Sequence, residues 1–491
     1  MLFNSLDFMF FFPVVVVVYF IIPKKVRYIW LLIASYYFYM GWNPKYAILI
    51  AASTIITYVS SLLIENCRNA EHINLKKICL VGSVVCNLGI LFVFKYLNFF
   101  LVNVSCIMSR LGLGVINKRF DLLLPVGISF YIFQALSYTF DVYCGNISAE
   151  RNIFKYALYV SFFPQLVAGP IERSTNLLPQ IQNADKIMVW DFERIRNGLL
   201  LMAWGLFQKL VIADRASILV DNVINNYTKY GFVELTLAII LFAMQIYCDF
   251  GGYTNIARGA AMVMGFKLMN NFEQPYLATN IKEFWRRWHI SLTSWFTDYI
   301  YIPLGGNRKG YIRKYVNIII VFAISGLWHG ASWAFIVWGL LHALYQIVGD
   351  VKQIAMKKNR RTTRKCEMSF STKFRKRVVT FVLIDFAWIF FVCQGLHHSL
   401  GVIGNMFTCF HTTSIFELGL DRGNMLILFG SIIILFVVDI IHENKMSIFE
   451  VVGGQELWFR WIIYLSLIWL TIMFGIYGVA YDASTFIYFQ F

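Results

Sequence analysis

The sequence predicts an all-α integral membrane protein, on three observations. The 491-residue chain is 59% hydrophobic and only 14% charged, against about 25% charged in a soluble globular domain. Its mean hydropathy is +0.62. Apolar runs also follow one another closely, at 8–22, 28–42, 46–64, 78–95, 127–143, 154–168, 196–212, 232–250, 254–265, 316–328, 330–348, 378–395, 425–441 and 460–479. Several fall short of the roughly 20 residues a helix needs to cross the hydrocarbon core, so about eleven to fourteen transmembrane or re-entrant helices are expected.

Residues 1–491 read as a single membrane domain, with a core over 120–350, an interfacial helix over 281–300, a re-entrant hairpin over 316–348 and C-terminal helices over 378–480. No stretch is long and polar enough for a separate soluble domain. No internal repeat is visible, which argues against a transporter built from two related halves.

The net charge is +16. Eleven Lys and Arg lie between Lys352 and Arg377, with Asp350 and Glu367 the acids at or near the ends of that stretch. Nucleic-acid binding would need a soluble groove or motif, and none is present. Basic loops between apolar spans follow instead from the positive-inside rule. Lys24–Arg27, Arg68–Lys77, Arg308–Lys314 and Lys352–Arg377 are therefore assigned to the cytoplasm, and the Lys-free loop 396–424 to the outside. Asp7 precedes the first run and Lys24, Lys25 and Arg27 follow it, the pattern of a retained helix with its N-terminus outside rather than a cleaved signal. The nine cysteines are scattered without a C-x-x-C, so no disulfide framework and no zinc or other metal site is expected.

Two histidine segments carry the candidate chemistry. In IKEFWRRWHISLTSWFTDYI (281–300), Ile281, Phe284, Trp285, Trp288, Leu292, Trp295 and Tyr299 form an apolar stripe at helical spacing, opposite Lys282, Arg286, His289 and Thr293. Three tryptophans beside basic residues suit a helix lying in the membrane interface. The following YIPLGGNRKG supplies a Gly-Gly turn and a basic loop. A histidine that merely packs at the interface is the plain alternative for His289. The neighbouring Arg286, Arg287, Asp298 and Asn307 favour function, since paired guanidinium groups suit a phosphate-bearing ligand or, equally, lipid headgroups.

Residues 313–352 are flanked by basic residues on both sides, so the apolar stretch between should enter and return, bending near Gly326, Gly330 and Ser332. Fifteen residues separate Lys314 from His329, about 22 Å of helix, roughly two-thirds of the core. An ionisable group at that depth is a functional candidate by default. The small residues around His329 are expected to clear room for substrate beside it and Trp328. His342, flanked by bulky residues, and Asp249, at the end of an apolar run, are expected to be structural.

The chain resembles the membrane-bound O-acyltransferase family, in its bacterial branch of alginate and peptidoglycan O-acetyltransferases. The resemblance rests on FWRRWHISLTSWFTDYIYIPLGGNRKG (284–310), SGLWHG (325–330), LPVGISFYIFQALSY (124–138), FFPQLVAGPIER (162–173), QIYCDFGGYTNIARG (245–259) and the chain end FIYFQF. It implies a ring of helices around a central tunnel, with the family's two histidines at His329 and His289. It also implies a multi-pass protein of the bacterial cytoplasmic membrane and no tightly bound cofactor. Acetyl would pass from cytoplasmic acetyl-CoA to an extracytoplasmic SGNH-type partner or a polysaccharide acceptor. D-alanyl transfer to teichoic acid is the neighbouring alternative, and a transporter or a lipid acyltransferase the more distant ones.

Within that reading, His329 is a general base for an attacking hydroxyl or a transient acyl acceptor. His289, Asn307 or a backbone N–H would meet the developing oxyanion. Arg286 and Arg287 would grip donor phosphates, with one of them free to pair with Asp298.

Overall fold

The computed structural model describes residues 1–115, 120–359, 368–410, 412–477 and 486. Among them every regular element is helical, and the one β feature is an isolated antiparallel bridge between Phe272 and Trp288. The C-terminal motif and the middle of the basic segment 352–377 lie largely outside the described residues. Eight of the nine cysteines are described, all as free thiols.

The chain forms two compact units. The first is built mainly from Met1–Met202 and Thr254–Met269. It contains α1 (Leu6–Ile21), α2 (Arg27–Met40), α3 (Ala47–Asn69), α4 (Ile73–Leu91), α5 (Leu97–Arg110), α6 (Ile128–Cys144), α7 (Ile153–Ser161), α8 (Phe163–Leu166), α9 (Ser174–Gln182) and most of α10 (Phe192–Leu206). Its apolar helices are pinned by a few buried polar contacts. Ser53 Oγ donates to Asn87 Oδ1 at 2.5 Å between α3 and α4, and Tyr156 OH donates to Thr57 Oγ1 at 2.7 Å between α7 and α3. Such contacts fix register where apolar packing alone would let helices slide.

The second unit is built mainly from Ala203–Tyr253 and Asn270–Asp482. It holds α11 (Asp214–Asn225), most of α12 (Phe232–Val263), α13 (Ile281–Arg287), α14 (Ile290–Phe296), α15 (Gly310–His329), α16 (Trp333–Asn359), α17 (Phe370–Val392), α18 (Leu396–Thr408), α19 (Arg422–Glu443), α20 (Ile448–Gly453) and α21 (Leu457–Phe474).

Eight helices among the described residues are long and apolar enough to cross a membrane. The protein is a multi-pass membrane protein. These eight are the spanning members among the expected eleven to fourteen transmembrane or re-entrant helices, and other apolar runs fold shorter. The runs at 127–143 and 154–168 become the 17-residue α6 and the 9-residue α7, both largely buried in the first unit.

Two expectations change. The 281–300 segment is not one helix: it breaks between α13 and α14 at Trp288 and His289. The hairpin expected over 316–348 is longer, since α15 starts at Gly310 and α16 continues to Asn359. Twenty residues of α15 make about 30 Å, so His329 ends a helix of spanning length, longer than the roughly 22 Å counted from Lys314.

Candidate functional site

The break before α14 is made by tertiary contacts. Glu273 N–H donates to Arg287 O at 2.9 Å, and Ile290 N–H donates to Asn271 O at 3.0 Å, on either side of the Phe272–Trp288 bridge. Asn271 Oδ1 also accepts from Ser291 Oγ at 2.6 Å. Paired to this neighbouring segment, Trp288 turns extended and His289 takes the left-handed conformation, φ 44° and ψ 52°. That conformation is uncommon for a residue with a Cβ and marks a site held by its surroundings. It turns His289 off the polar face assigned to it and buries it completely.

His329 is placed by the opposite device, the end of a long helix. The chain then turns through 330–332 into α16. A Cβ on Gly326 would stand 2.2 Å from Phe335 O, and one on Gly339 would stand 2.2 Å from Phe322 O. These glycines let the two backbones touch. A Cβ on Gly330 would meet the Phe335 ring at 2.2 Å. The small residues thus serve close packing, and the space beside them is filled rather than cleared for substrate. Ser332 Oγ donates to Gln394 O at 2.5 Å and anchors the turn.

Both imidazoles lie inside the second unit, and the centroids of their rings are 6.3 Å apart. Trp328 touches both, its ring centroid 5.9 Å from His289 and 5.0 Å from His329. Phe250 stands edge-on to His289 at 4.7 Å. Trp338 at 5.0 Å and Phe391 at 5.4 Å complete the wall around His329. Burial pushes the His289 imidazole down to about 3. It is therefore neutral near pH 7, able to donate from one ring nitrogen and accept at the other.

The structure separates the other predicted residues. Arg287 does not pair with Asp298. It bonds Glu283 Oε1 at 2.6 Å and Glu443 Oε2 at 2.5 Å, and Arg377 reaches the other oxygen of Glu443 at 2.9 Å. Burial would raise the Glu283 carboxyl, but bonds from Thr279 and Arg287 outweigh it and hold the group below its ordinary value. Arg287 thus braces α13 against α17 and α19. Arg286, Asp298 and Asn307 are exposed, unlike the two imidazoles. Asn307 lies in the turn 302–309, where Gly305 and Gly306 take positive φ. Of the expected neighbours of the histidines, Trp328 is the one in ring contact with both.

One cluster escaped the sequence reading. Lys209 Nζ lies 2.8 Å from Asp214 Oδ1 and 2.7 Å from Asp249 Oδ1, with all three side chains buried. Lys209 occupies a π-helical stretch, Phe207–Ala213, a local widening that recurs at functional sites. Asp249 precedes Phe250, the ring against His289. A lysine inside the apolar run 196–212 was the available signal.

The model of the MBOAT, membrane-bound O-acyltransferase family, matches residues 146–393. The chain is 34% identical to the probable alginate O-acetylase AlgI of Pseudomonas putida, covering 83% of this chain and 80% of that protein. The chain belongs to the membrane-bound O-acyltransferase family. The peptidoglycan O-acetyltransferase of Helicobacter pylori is also 34% identical, again over 83% of this chain and 80% of its own length. The teichoic acid D-alanyltransferase of Bacillus subtilis is 27% identical over 56% of this chain and 70% of its own length. The matched region of the family model begins later and ends later than the expected core at 120–350. It includes both histidines and every element that walls them. This membrane-bound O-acyltransferase therefore carries His289 on a strained break and His329 on a helix tip, brought together by aromatic packing.

Proposed function

We propose that this O-acyltransferase moves an acetyl group from cytoplasmic acetyl-CoA across the bacterial cytoplasmic membrane to an extracytoplasmic acceptor, either a partner of SGNH type or a cell-surface polysaccharide. The observation that carries the reading is the juxtaposition of His289 and His329, two buried rings 6.3 Å apart at their centroids. Acetyl rather than D-alanyl transfer is favoured by the relatives: those named for alginate or peptidoglycan O-acetylation match at 34% over 83% of the chain, the Bacillus subtilis D-alanyltransferase at 27% over 56%. The basic loops favour a donor arriving from the cytoplasmic side, and the tunnel that the family resemblance implies would be its route to the histidines.

In this mechanism an acceptor hydroxyl gives its proton to neutral His329 while its oxygen attacks the thioester carbonyl. The neutral His289 donates an N–H to the oxyanion that forms. Collapse breaks the carbon–sulfur bond, and protonated His329 returns the proton to the leaving thiolate. Arg286, exposed beside the break, is assigned to the donor phosphates.

The test is His329→Ala in cells, with O-acetyl on surface glycan measured against protein level. Acetylation falls by about 10²–10⁴-fold at unchanged protein level, the usual worth of a general base. Normal acetylation in this variant would overturn the assignment. Normal acetyl content in a strain lacking the whole gene, with D-alanine lost from teichoic acid instead, would replace the acetyl donor with D-alanyl.

A further inference from the structure

His289 and His329 ride on separate stretches of chain, the broken segment 281–296 and the tip of the α15–α16 hairpin. Their spacing depends on what ties these stretches together. Trp285, four residues before His289, donates its indole N–H to Nδ1 of His342 on α16 at 3.3 Å. Trp285 is 6% exposed and His342 is fully buried. An indole N–H can only donate, so Nδ1 accepts and the ring proton sits on Nε2. The bond therefore fixes His342 as one neutral tautomer. Nε2 has no hydrogen-bond partner among the described residues.

The link continues to the reacting histidine through one ring. Trp338 lies one turn before His342, on the same face of α16. Its ring centroid is 5.7 Å from Trp285, 5.1 Å from His342 and 5.0 Å from His329. Phe284 and Phe322 each stack nearly parallel to His342, with ring centroids 6.3 Å away. A shift of α13 relative to α16 must break the indole bond or displace Trp338.

We propose that the Trp285–His342 bond is a strut that holds His289 in register with His329, making His342 a positioning residue for acyl transfer. The proposal rests on the reading that the two histidines act on one thioester.

The experiment uses purified full-length protein in detergent with a polysaccharide acceptor added, and two readouts: transfer of radiolabelled acetyl from acetyl-CoA, and hydrogen–deuterium exchange of peptides covering 281–296. His342→Asn keeps an acceptor near Nδ1, His342→Gln keeps a polar atom near Nε2, and His342→Phe and Trp285→Phe keep only the rings. The Phe variants and His342→Gln lower kcat about 10–100-fold with KM within about twofold, as loss of positioning does. They also raise exchange over 281–296, and His342→Asn restores both readouts. The double Phe variant is no worse than either single one, because both remove the same bond. Wild-type kcat in the Phe variants overturns the proposal. Rescue by Gln but not Asn also overturns it, since the role would then belong to Nε2. If the wild-type protein turns over no acetyl-CoA, the donor reading fails, and the exchange pattern alone decides the strut.

Discussion

The imidazoles of His289 and His329 meet at a centroid separation of 6.3 Å across forty positions of sequence. Neither ring is delivered by ordinary helix geometry. One sits in a left-handed break and the other on the last residue of a long helix. The pairing is therefore a property of the tertiary fold, and the variants that test it should separate ring chemistry from backbone shape.

His289 is the residue where that separation is cleanest. Asn tolerates the left-handed backbone and keeps an N–H donor. His289→Asn should retain activity to within about tenfold, and His289→Ala should lose about 10²–10³-fold, the usual worth of an oxyanion donor. Because burial holds the group down to about 3 against an ordinary 6.5, it does not titrate over the range of about pH 5 to 8 where histidines normally do. The pH profile of kcat/KM should keep its shape in the Asn variant; a displaced acid limb would refute the neutral assignment. The sign for stability follows from the depressed value. The contribution is present above 6.5 and is lost as pH falls toward 3, so acid should unfold the wild-type protein more steeply than His289→Asn.

Arg286 and Arg287 should fail in different ways. Arg287→Ala leaves Glu283 and Glu443 short of a partner and should destabilise the protein by roughly 1–3 kcal/mol, read as a lower melting temperature with KM for acetyl-CoA unchanged. Arg286→Ala should raise that KM about tenfold, the scale of one charge-assisted phosphate contact, and leave melting alone. An unchanged melting temperature in Arg287→Ala would mean that the Glu443 network braces nothing.

The hairpin gives a packing test with its own control. Gly326→Ala forces a Cβ to 2.2 Å from the Phe335 carbonyl oxygen, and overpacking of this kind costs about 1–3 kcal/mol. Gly349, further along α16, has no heavy atom within 4 Å of its would-be Cβ. Gly349→Ala should raise stability by up to about 1 kcal/mol through helix propensity. Equal melting of the two variants would show that backbone contact between α15 and α16 is not tight.

Helical membrane character was legible because hydropathy survives any detail of packing. The two histidines stood out as candidates because SGLWHG and FWRRWHISL are distinctive strings. The break at His289 was not, since Ile281, Phe284, Trp285, Trp288, Leu292 and Trp295 keep helical spacing straight across it and are all buried. What unwinds the chain there is Asn271 and Phe272, on a distant segment whose pairing no local pattern announces. The small residues by His329 were misread for a related reason. Composition shows that Gly326 and Gly330 leave space, while only the fold shows Phe335 occupying it.

The buried group formed by Lys209, Asp214 and Asp249 also bears on how the chain is made. The helical span carrying Lys209, Phe192–Asn225, reaches a mean hydropathy of only 1.2 over an 18-residue stretch, the lowest of the eight, and the next span, Phe232–Val263, carries Asp249. Even with Asp214 five residues on in the same span, a lysine at the centre of a nascent helix opposes its release from the translocon by about 2.5–3.5 kcal/mol. A reporter fused after Asn225 should read incomplete insertion, and one fused after Val263 should read full insertion. The two spans are then guests that the bilayer accepts only as a couple, and the salt bridge that ends up deep in the finished enzyme first serves as their passport during synthesis.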